Sequence, residues 1–374
     1  MKKPFIPKPL PPDLSGIYTP DFVRSLGEAN RALAKLGELP HLLPNPDLLA
    51  APLLRKEAVL SSKIEGTQTT LAELYKYEAK LEDKNIKKDD AKEVENYVKA
   101  MHRGMDDVKK LSLSLRTIKN MHEVLLAGVE RKDQGVPGHF RDFQAYIGSP
   151  GTPIEDATYV ASPQQELNGL MGEFEKYLNN PDVIEDPIIQ CGLIHYQLEA
   201  VHPFGDGNGR IGRLLIPIFF YARDIIGYPL VYISEYFEID RKAYYDRLLM
   251  VSEKGDWKSW LLFFINGIKK QSEETCTRGV EIVKLYKQVH EIVREKLQSS
   301  NSIALVEHIF KNPFTVAPIL CEKLKISHAT AMRLLGQFVG LGILNKSGAT
   351  IKRPGSSRPV KLYSFDSLTK IVNK

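Results

Sequence analysis

The chain has 374 residues, 43% hydrophobic and 26% charged, with a net charge of +5, which allows two or three domains with a substantial core and is ordinary for a soluble globular protein. Its three cysteines, Cys191, Cys276 and Cys321, are odd in number and far apart; they fit neither zinc-ligand spacing nor a disulfide framework and point to a reducing compartment. No run of about 18 apolar residues argues for a membrane span, and prolines interrupt the basic stretch MKKPFIPKPLPPDLSGIYTP where a signal peptide needs an apolar run, so a cytoplasmic protein with an extended, polyproline-like arm and no membrane partner is expected.

After that arm, TPDFVRSLGEANRALAKLGELP has helical spacing, with Thr19 or Asp21 able to cap it. In PLLRKEAVLSSKIEGTQTT, Pro52 suits a first helical position and Gly66 a C-terminal cap, so a helix is predicted over roughly 52–65. Charged helical segments follow, and residues 1–105 read as one N-terminal helical region. The texture then changes. Gly138 to Pro163 holds short β-prone runs separated by Gly-Ser-Pro-Gly, the pattern of a hairpin or flap over 145–160. Helical pattern returns at DPIIQCGLIHYQLEAV and at RIGRLLIPIFFYARDII. Both are apolar around most of their circumference, which predicts core helices. An amphipathic helix over Arg278 to Leu297 predicts a linker to a C-terminal module. That module reads helix (TVAPILCEKL), turn (KIS), helix (HATAMRLLGQFVGLG) and two strand-like runs around RPGSSRP, the order of a winged helix-turn-helix.

Charge is uneven along the chain. Residues 300–374 hold eleven Lys/Arg against three Asp/Glu, a net +8, so the preceding 299 residues total −3. A basic helix-turn-helix makes DNA a candidate partner, with Arg333 and Gln337 on its second helix and Arg353 and Arg358 in the wing as candidate contacts.

Between the two apolar helices lies HPFGDGNGR, His202 to Arg210. A glycine-rich turn entering a helix presents unpaired N–H groups and the positive end of the dipole to an anion. Gly205, Gly207 and Gly209 let backbone approach a phosphate closely. Arg210, and Arg213 one turn later, share a face there and add charge-assisted bonds. Asp206 is a hard oxygen donor suited to Mg²⁺, which takes one or two carboxylates plus substrate phosphates. His202, with a reference pKa of about 6.5, can accept a proton. Base, metal ligand and phosphate cradle together specify transfer of a phosphorus group from a nucleotide. GNGRIG (Gly207, Gly209, Gly212) also satisfies the dinucleotide fingerprint, but no strand precedes it, and no Lys-Ser/Thr follows to make a P-loop.

With these residues in view the chain resembles the Fic-domain proteins. HPFGDGNGR matches their signature at each defined position, Arg213 being the second arginine of the extended motif. The resemblance implies a mainly α fold: a Fic-type helical core over 106–275 with a β-hairpin flap, a linker helix over 276–300 and the winged helix-turn-helix over 301–374. It implies transfer of AMP from ATP to a Ser, Thr or Tyr hydroxyl of a target protein, the chain itself included, with release of pyrophosphate. His202 would be the base and Asp206 would hold Mg²⁺. Gly207, Asn208, Gly209, Arg210 and Gly212 would hold the phosphate chain, Arg213 the γ-phosphate, and Tyr244 would line the adenine pocket. Thr158, Tyr159 and Val160 would form the flap edge that docks an extended target segment.

SSKIEG, Ser61 to Gly66, fits the family's inhibitory pattern of Ser/Thr, three residues, Glu and Gly/Asn. Ser61 and Glu65 share a helix face. Through the resemblance, Glu65 is expected to pair with Arg213 where the γ-phosphate belongs, a direct competition between carboxylate and phosphate. Two other readings stay open: a nucleotide-sensing DNA-binding regulator without transferase activity, and a hydrolase that removes AMP. A homodimer is a further candidate assembly.

Overall fold

The helix Pro187–Val201 buries thirteen of its fifteen residues and the helix Asn208–Ala222 twelve of fifteen, so both are wrapped on nearly all sides, as their mostly apolar sequences require. The computed structural model describes residues 3–84, 86–110, 112–129, 135–149, 151–351 and 359–374. In chain order these form helices α1 (Pro20–Glu38), α2 (Asp47–Ile64), α3 (Leu71–Glu78), α4 (Lys88–Val108) and α5 (Leu115–Leu125), then strands β1 (Tyr146–Ile147) and β2 (Tyr159–Val160). Helices α6 (Leu167–Leu178), α7 (Pro187–Val201), α8 (Asn208–Ala222), α9 (Ser234–Ile239), α10 (Arg241–Lys254) and α11 (Trp257–Leu297) follow. The chain closes with α12 (Ser300–Lys311), β3 (Phe314–Thr315), α13 (Ala317–Leu324), α14 (His328–Gly340), β4 (Asn345–Ile351), β5 (Val360–Ser364) and α15 (Asp366–Asn373). The protein is mainly α, as its sequence predicts.

Two compact units make up the chain. The first takes Met1–Gly37, Leu60–Gly66 and Asn96–Glu273; the second takes Glu38–Val59, Thr67–Glu95 and Glu274–Lys374. In the first, α7 lies against α11 so closely that a Cβ on Gly192 would meet Leu261 and Phe264 at 3.0 and 3.1 Å. The Trp260 indole donates to the Gly192 carbonyl at 3.0 Å, which satisfies a buried donor. Strands β1 and β2 pair antiparallel, Tyr146 opposite Val160 and Ile147 opposite Tyr159.

In the second unit, β3, β5 and β4 form one antiparallel sheet in that order. Leu81, Val316 and Leu362 build a buried apolar cluster against it. Thr70 and Glu73 form a capping box at α3, and the Ser327 hydroxyl accepts from the Thr330 amide to cap α14. Arg333 on α14 lies 3.5 Å from Gln337, while Arg353 and Arg358, the other two candidate nucleic-acid contacts, lie outside the described residues.

Two elements differ from the sequence expectation. The helix predicted to open at Pro52 begins at Asp47, whose amide bonds the Asn45 side chain at 3.0 Å, and Pro52 sits inside it. Burying Leu48 and Leu49 completely outweighs the backbone donor that an interior proline removes. The amphipathic stretch Arg278 to Leu297 is not a helix of its own but the second half of the 41-residue α11. No helix among the described residues is long and apolar enough to cross a membrane.

Candidate active site at the glycine-rich loop

The loop between α7 and α8 is shaped by its own residues. Helix α7 opens on Pro187, with the Asp186 carboxylate capping the Ile188 amide at 2.8 Å, and stops at His202, whose backbone is left-handed (φ 51°, ψ 60°). Gly207, at φ +78°, turns the chain into α8, where a Cβ would be strained and would approach Leu125 at 3.2 Å. Asn208 locks the turn: its Oδ1 accepts from the Phe204 amide and its Nδ2 donates to the Phe204 carbonyl, both at 2.9 Å. The Asn208 amide is thus committed to backbone. No side chain caps α8, so its first amides stand ready for an anion.

Asp206 Oδ1 accepts from the Gly207 amide at 2.6 Å and from Arg210 at 3.2 Å. Arg210 and Arg213 are both fully buried, a placement that guanidinium groups tolerate only with partners. Arg213 has three such bonds: Nε to the Ser61 hydroxyl at 2.8 Å, Nη2 to the Ser61 carbonyl at 3.0 Å, and Nη2 to Glu65 Oε1 at 2.6 Å. The pair is single-pronged, through one carboxylate oxygen and one guanidinium nitrogen. Burial raises the Glu65 pKa, but the adjacent Arg213 charge overrides it and holds the carboxyl below its ordinary value. Gly66, at φ +104°, ends the segment. Ser61, Glu65 and Arg213 therefore meet, although 148 residues separate Glu65 from Arg213.

His202 and Glu65, Gly209 and Arg213 line one cavity of ≈ 480 Å³ with Tyr159 and Thr158 of the flap. The His202 Nδ1 lies 3.3 Å from the Glu199 carbonyl, so Nδ1 carries the proton and Nε2 the lone pair. Burial pushes the imidazole down to about 4, which keeps it neutral at physiological pH.

Three expected residues make contacts beyond those the sequence suggested. Tyr244 lines the cavity but is buried, stacked on Phe237 with centroids 4.2 Å apart and bonded through its hydroxyl to His195 Nε2 at 2.9 Å. Its neighbour Tyr245 is the exposed ring on that wall. Tyr159 and Val160 form β2, which is flanked on both sides: β1 pairs one edge, and on the other the Val160 carbonyl accepts from the Phe5 amide at 3.0 Å. The open edge belongs to β1, whose Tyr146 and Ile147 are both exposed.

Four residues act at the site without having been singled out in the sequence. Arg141, almost fully buried, donates to the carbonyls of His202 (2.8 Å), Phe143 (2.6 Å), Ser162 (2.5 Å) and Val201 (3.4 Å). It ties both feet of the flap to the glycine-rich loop. His122 stacks on Phe204 at 3.8 Å, accepts from the Gly138 amide through Nδ1 and so donates from Nε2 to the Asp206 carbonyl at 3.0 Å. His195 presents Nδ1 to the Gly212 carbonyl at 3.1 Å. Glu199, one turn before His202, lines the cavity, and burial pushes its carboxyl up to about 7. The only sequence signals were an arginine ahead of the flap and a carboxylate inside an otherwise apolar helix, neither specific by itself.

The pocket, the glycine-rich loop and the clasped arginine come together on a helical scaffold. Residues 23–106 match the sequence model of the Fic/DOC family N-terminal region, and residues 112–220 match that of the Fic/DOC family. The two matches span just over half of the chain, which belongs to the Fic/DOC family. Among curated relatives, the protein adenylyltransferase Fic of Aedes aegypti is 32% identical over 152 residues, covering 40% of this chain and 27% of the relative. That of Drosophila grimshawi is 30% identical over 164 residues, covering 44% and 30%. The chain thus spans less than a third of the length of these relatives. Among solved structures, a Fic family protein from Desulfovibrio desulfuricans G20 aligns with a TM-score of 0.56 at 18% identity, over 93% of this chain and 96% of that one. Fic-1 from C. elegans aligns with a TM-score of 0.54 at 22% identity, over 71% and 75%. These two likenesses concern the fold.

Proposed function

We propose that the chain is an autoinhibited protein adenylyltransferase that moves AMP from ATP to a hydroxyl of a target protein. The observation that carries this reading is one cavity lined by a neutral histidine, His202, and by Arg213, with an uncapped helix N-terminus at its edge and Glu65 on the arginine. The names of the curated relatives support it.

The target hydroxyl gives its proton to His202 Nε2 as its oxygen attacks the α-phosphorus of ATP. A new P–O bond forms, the bond from the α-phosphorus to the bridging oxygen breaks in line, and pyrophosphate leaves. The amides at Asn208 and Gly209 and the Arg210 guanidinium hold the phosphate chain, with Gly207, whose amide is bonded to Asp206, the Asn208 side chain and Gly212 shaping the backbone; Arg213 holds the terminal phosphate. Positioning and charge stabilisation carry the rate. Asp206 is a single carboxylate, and no cluster of three or more metal-ligating side chains occurs among the described residues. That donor set fits a Mg²⁺ ion completed by the nucleotide's own phosphates, where Asp206 would hold the ion and the ion would neutralise phosphate charge.

With Glu65 on Arg213, the terminal phosphate loses its ligand, and the α-phosphorus is not aligned for attack. The target segment docks along the open edge of β1, Tyr146 and Ile147, since β2 is flanked on both sides. The element order of α12 to β5, with the sheet order β3-β5-β4, supports a winged helix-turn-helix for the C-terminal module.

The test is label transfer from α-³²P-ATP with Mg²⁺ by the wild type, Glu65→Gly and Glu65→Gly/His202→Ala. Strong protein labelling by Glu65→Gly, weak labelling by the wild type and none by the double variant is expected. A Glu65→Gly protein that labels nothing, itself included, would sink the transferase reading.

A further inference from the structure

The inner end of the cavity holds two buried polar atoms that lack hydrogen-bond partners: Oε1 of Glu199 and Nη1 of Arg213. Such atoms destabilise a fold unless something satisfies them. Donors near Glu199 are already engaged. His195 Nε2, 4.0 Å from Oε1, accepts the Tyr244 hydroxyl proton, and the His195 Nδ1 proton goes to the Gly212 carbonyl. Arg213 spends Nε and Nη2 on Ser61 and Glu65. Helix α8 leaves room for both carboxylates, since a Cβ at Gly212 would run into Glu199 Oε1 and one at Gly209 into Glu65 Oε1. Two carboxylates thus flank one arginine, and only Glu65 bonds to it.

A ligand that satisfies both orphan atoms must accept from Arg213 Nη1 while meeting Glu199. A phosphate oxygen does so only if the carboxyl is neutral, since a carboxylate there would repel it. We propose that Glu199, as the neutral acid, donates a hydrogen bond to the terminal phosphate of the bound nucleotide beside Arg213, so that binding of a nucleoside triphosphate takes up a proton. This rests on the adenylyltransferase reading above and adds a second group to its phosphate subsite. The charged and titratable groups around Glu199 are His195 and Tyr196 on its own helix, His202 just past its end, Arg213 on α8, Glu65 beyond α2, Tyr159 of the flap, and Arg241, Tyr244, Tyr245 and Asp246 on α10. Burial raises its pKa to about 7, Arg213 pulls it down and Glu65 pushes it up. When Glu65 withdraws, Glu199 loses that upward push, becomes the counter-ion of Arg213 near neutral pH, and must be protonated again for the phosphate to enter.

The experiment uses the Glu65→Gly protein of residues 1–374 with and without Glu199→Gln, titrated calorimetrically with ATP and with AMP from about pH 6 to about 8.5, in two buffers of different ionisation enthalpy. For Glu65→Gly, ATP affinity should weaken roughly tenfold per pH unit above neutrality relative to the Gln variant, with close to one extra proton taken up. Glu199→Gln, whose amide donates at any pH, should lose that excess slope and proton uptake. AMP, which lacks the terminal phosphate, should bind both proteins alike, and its binding certifies that the variant is folded. Equal pH slopes and proton counts for ATP in the two proteins would overturn the role of Glu199 alone. A Glu65→Gly protein that binds no nucleotide at any pH would overturn the adenylyltransferase reading and this inference with it.

Discussion

Glu65 Oε1 lies 2.6 Å from Arg213 Nη2, while Ser61, one helical turn earlier, takes Nε and a second bond from the same Nη2. Ser61 in the last turn of α2 and Glu65 just past its end therefore grip a single guanidinium, but only the carboxylate sits where a phosphate would compete. Removing Glu65 leaves the Ser61 bonds in place, so Arg213 stays positioned as its charge is released.

Glu65→Gly should therefore raise labelling while lowering stability. Breaking a fully buried ion pair costs about 3–5 kcal/mol; with Glu65 partly exposed and Ser61 retained, about 2 kcal/mol is expected. Chemical denaturation of the two proteins at pH 7 measures the loss. Because Arg213 depresses the Glu65 pKa, the difference should be fully present above the ordinary carboxylate pKa and shrink as the pH falls through the depressed value. A gain of activity with no loss of stability at pH 7 would mean that the pair does not form in solution.

Three histidines of the first unit are held neutral by burial: His122 and His202 at about 4 and His195 at about 3. In the unfolded chain each would titrate near 6.5. Below pH 6.5 the unfolded chain takes up protons that the folded chain refuses, so stability should fall from pH 6.5 downward and stay insensitive to these groups above it. His202→Asn should flatten part of that slope. Turnover should show no loss with a midpoint near 6.5, since the proposed base remains neutral well below that pH. An acid limb centred near 6.5 that vanishes with the His202 environment intact would refute the assignment.

Arg141 is the joint between flap and loop. It donates to carbonyls on both sides of the left-handed His202 and to Phe143 and Ser162 at the feet of the flap. Lysine carries the charge but lacks the planar fork that reaches several carbonyls at once. Arg141→Lys should lose about 2–3 kcal/mol of stability. It should also raise KM for a protein target more than KM for ATP, because the flap's hold on the loop loosens while the phosphate end is untouched. Equal effects on the two KM values would assign Arg141 to the fold alone.

The loop and its two helices were legible because glycine, proline and polar residues break a long apolar pattern at one place. Glu65 was legible only through its resemblance to a known pattern, since a carboxylate on a last helical turn has no chemistry of its own until Arg213 is beside it. Arg141, His122 and Glu199 were not legible. Their significance lies in backbone carbonyls and buried space contributed by distant segments, which spacing along the chain does not encode. Tyr244 and Tyr245 are adjacent in sequence and both line the cavity, and only packing decides which ring is buried on Phe237 and which stays exposed.

Asn208 is almost wholly buried and closes both amide bonds on Phe204. Asn208→Ala leaves a buried N–H and a buried C=O without partners, which should destabilise the protein by about 2–3 kcal/mol. Asn208→Asp keeps an acceptor for the Phe204 amide but loses the donor and adds a negative charge at the anion site. It should therefore cost less stability than alanine yet reduce ATP affinity more. If the two variants weaken ATP equally, the loss comes from the shape of the turn and not from the charge.

The flap offers the sharpest test of how a target would dock. Val160 turns its carbonyl toward Phe5, so its partner Tyr146 turns N–H and C=O away from β2, while Ile147 faces Tyr159 across the ladder. Proline at 146 removes an outward N–H that no strand of the hairpin uses, a position that edge strands tolerate. Tyr146→Pro in the Glu65→Gly background should keep the melting temperature and ATP affinity and lose at least tenfold in labelling of a protein target. The mirror-image change, Tyr159→Pro, removes an N–H that β2 gives to β1 and should destabilise the flap itself. If Tyr146→Pro labels targets normally, the docking edge is not β1. Deletion of residues 3–8, which uncovers the Phe5 side of Val160, would then be expected to raise target labelling.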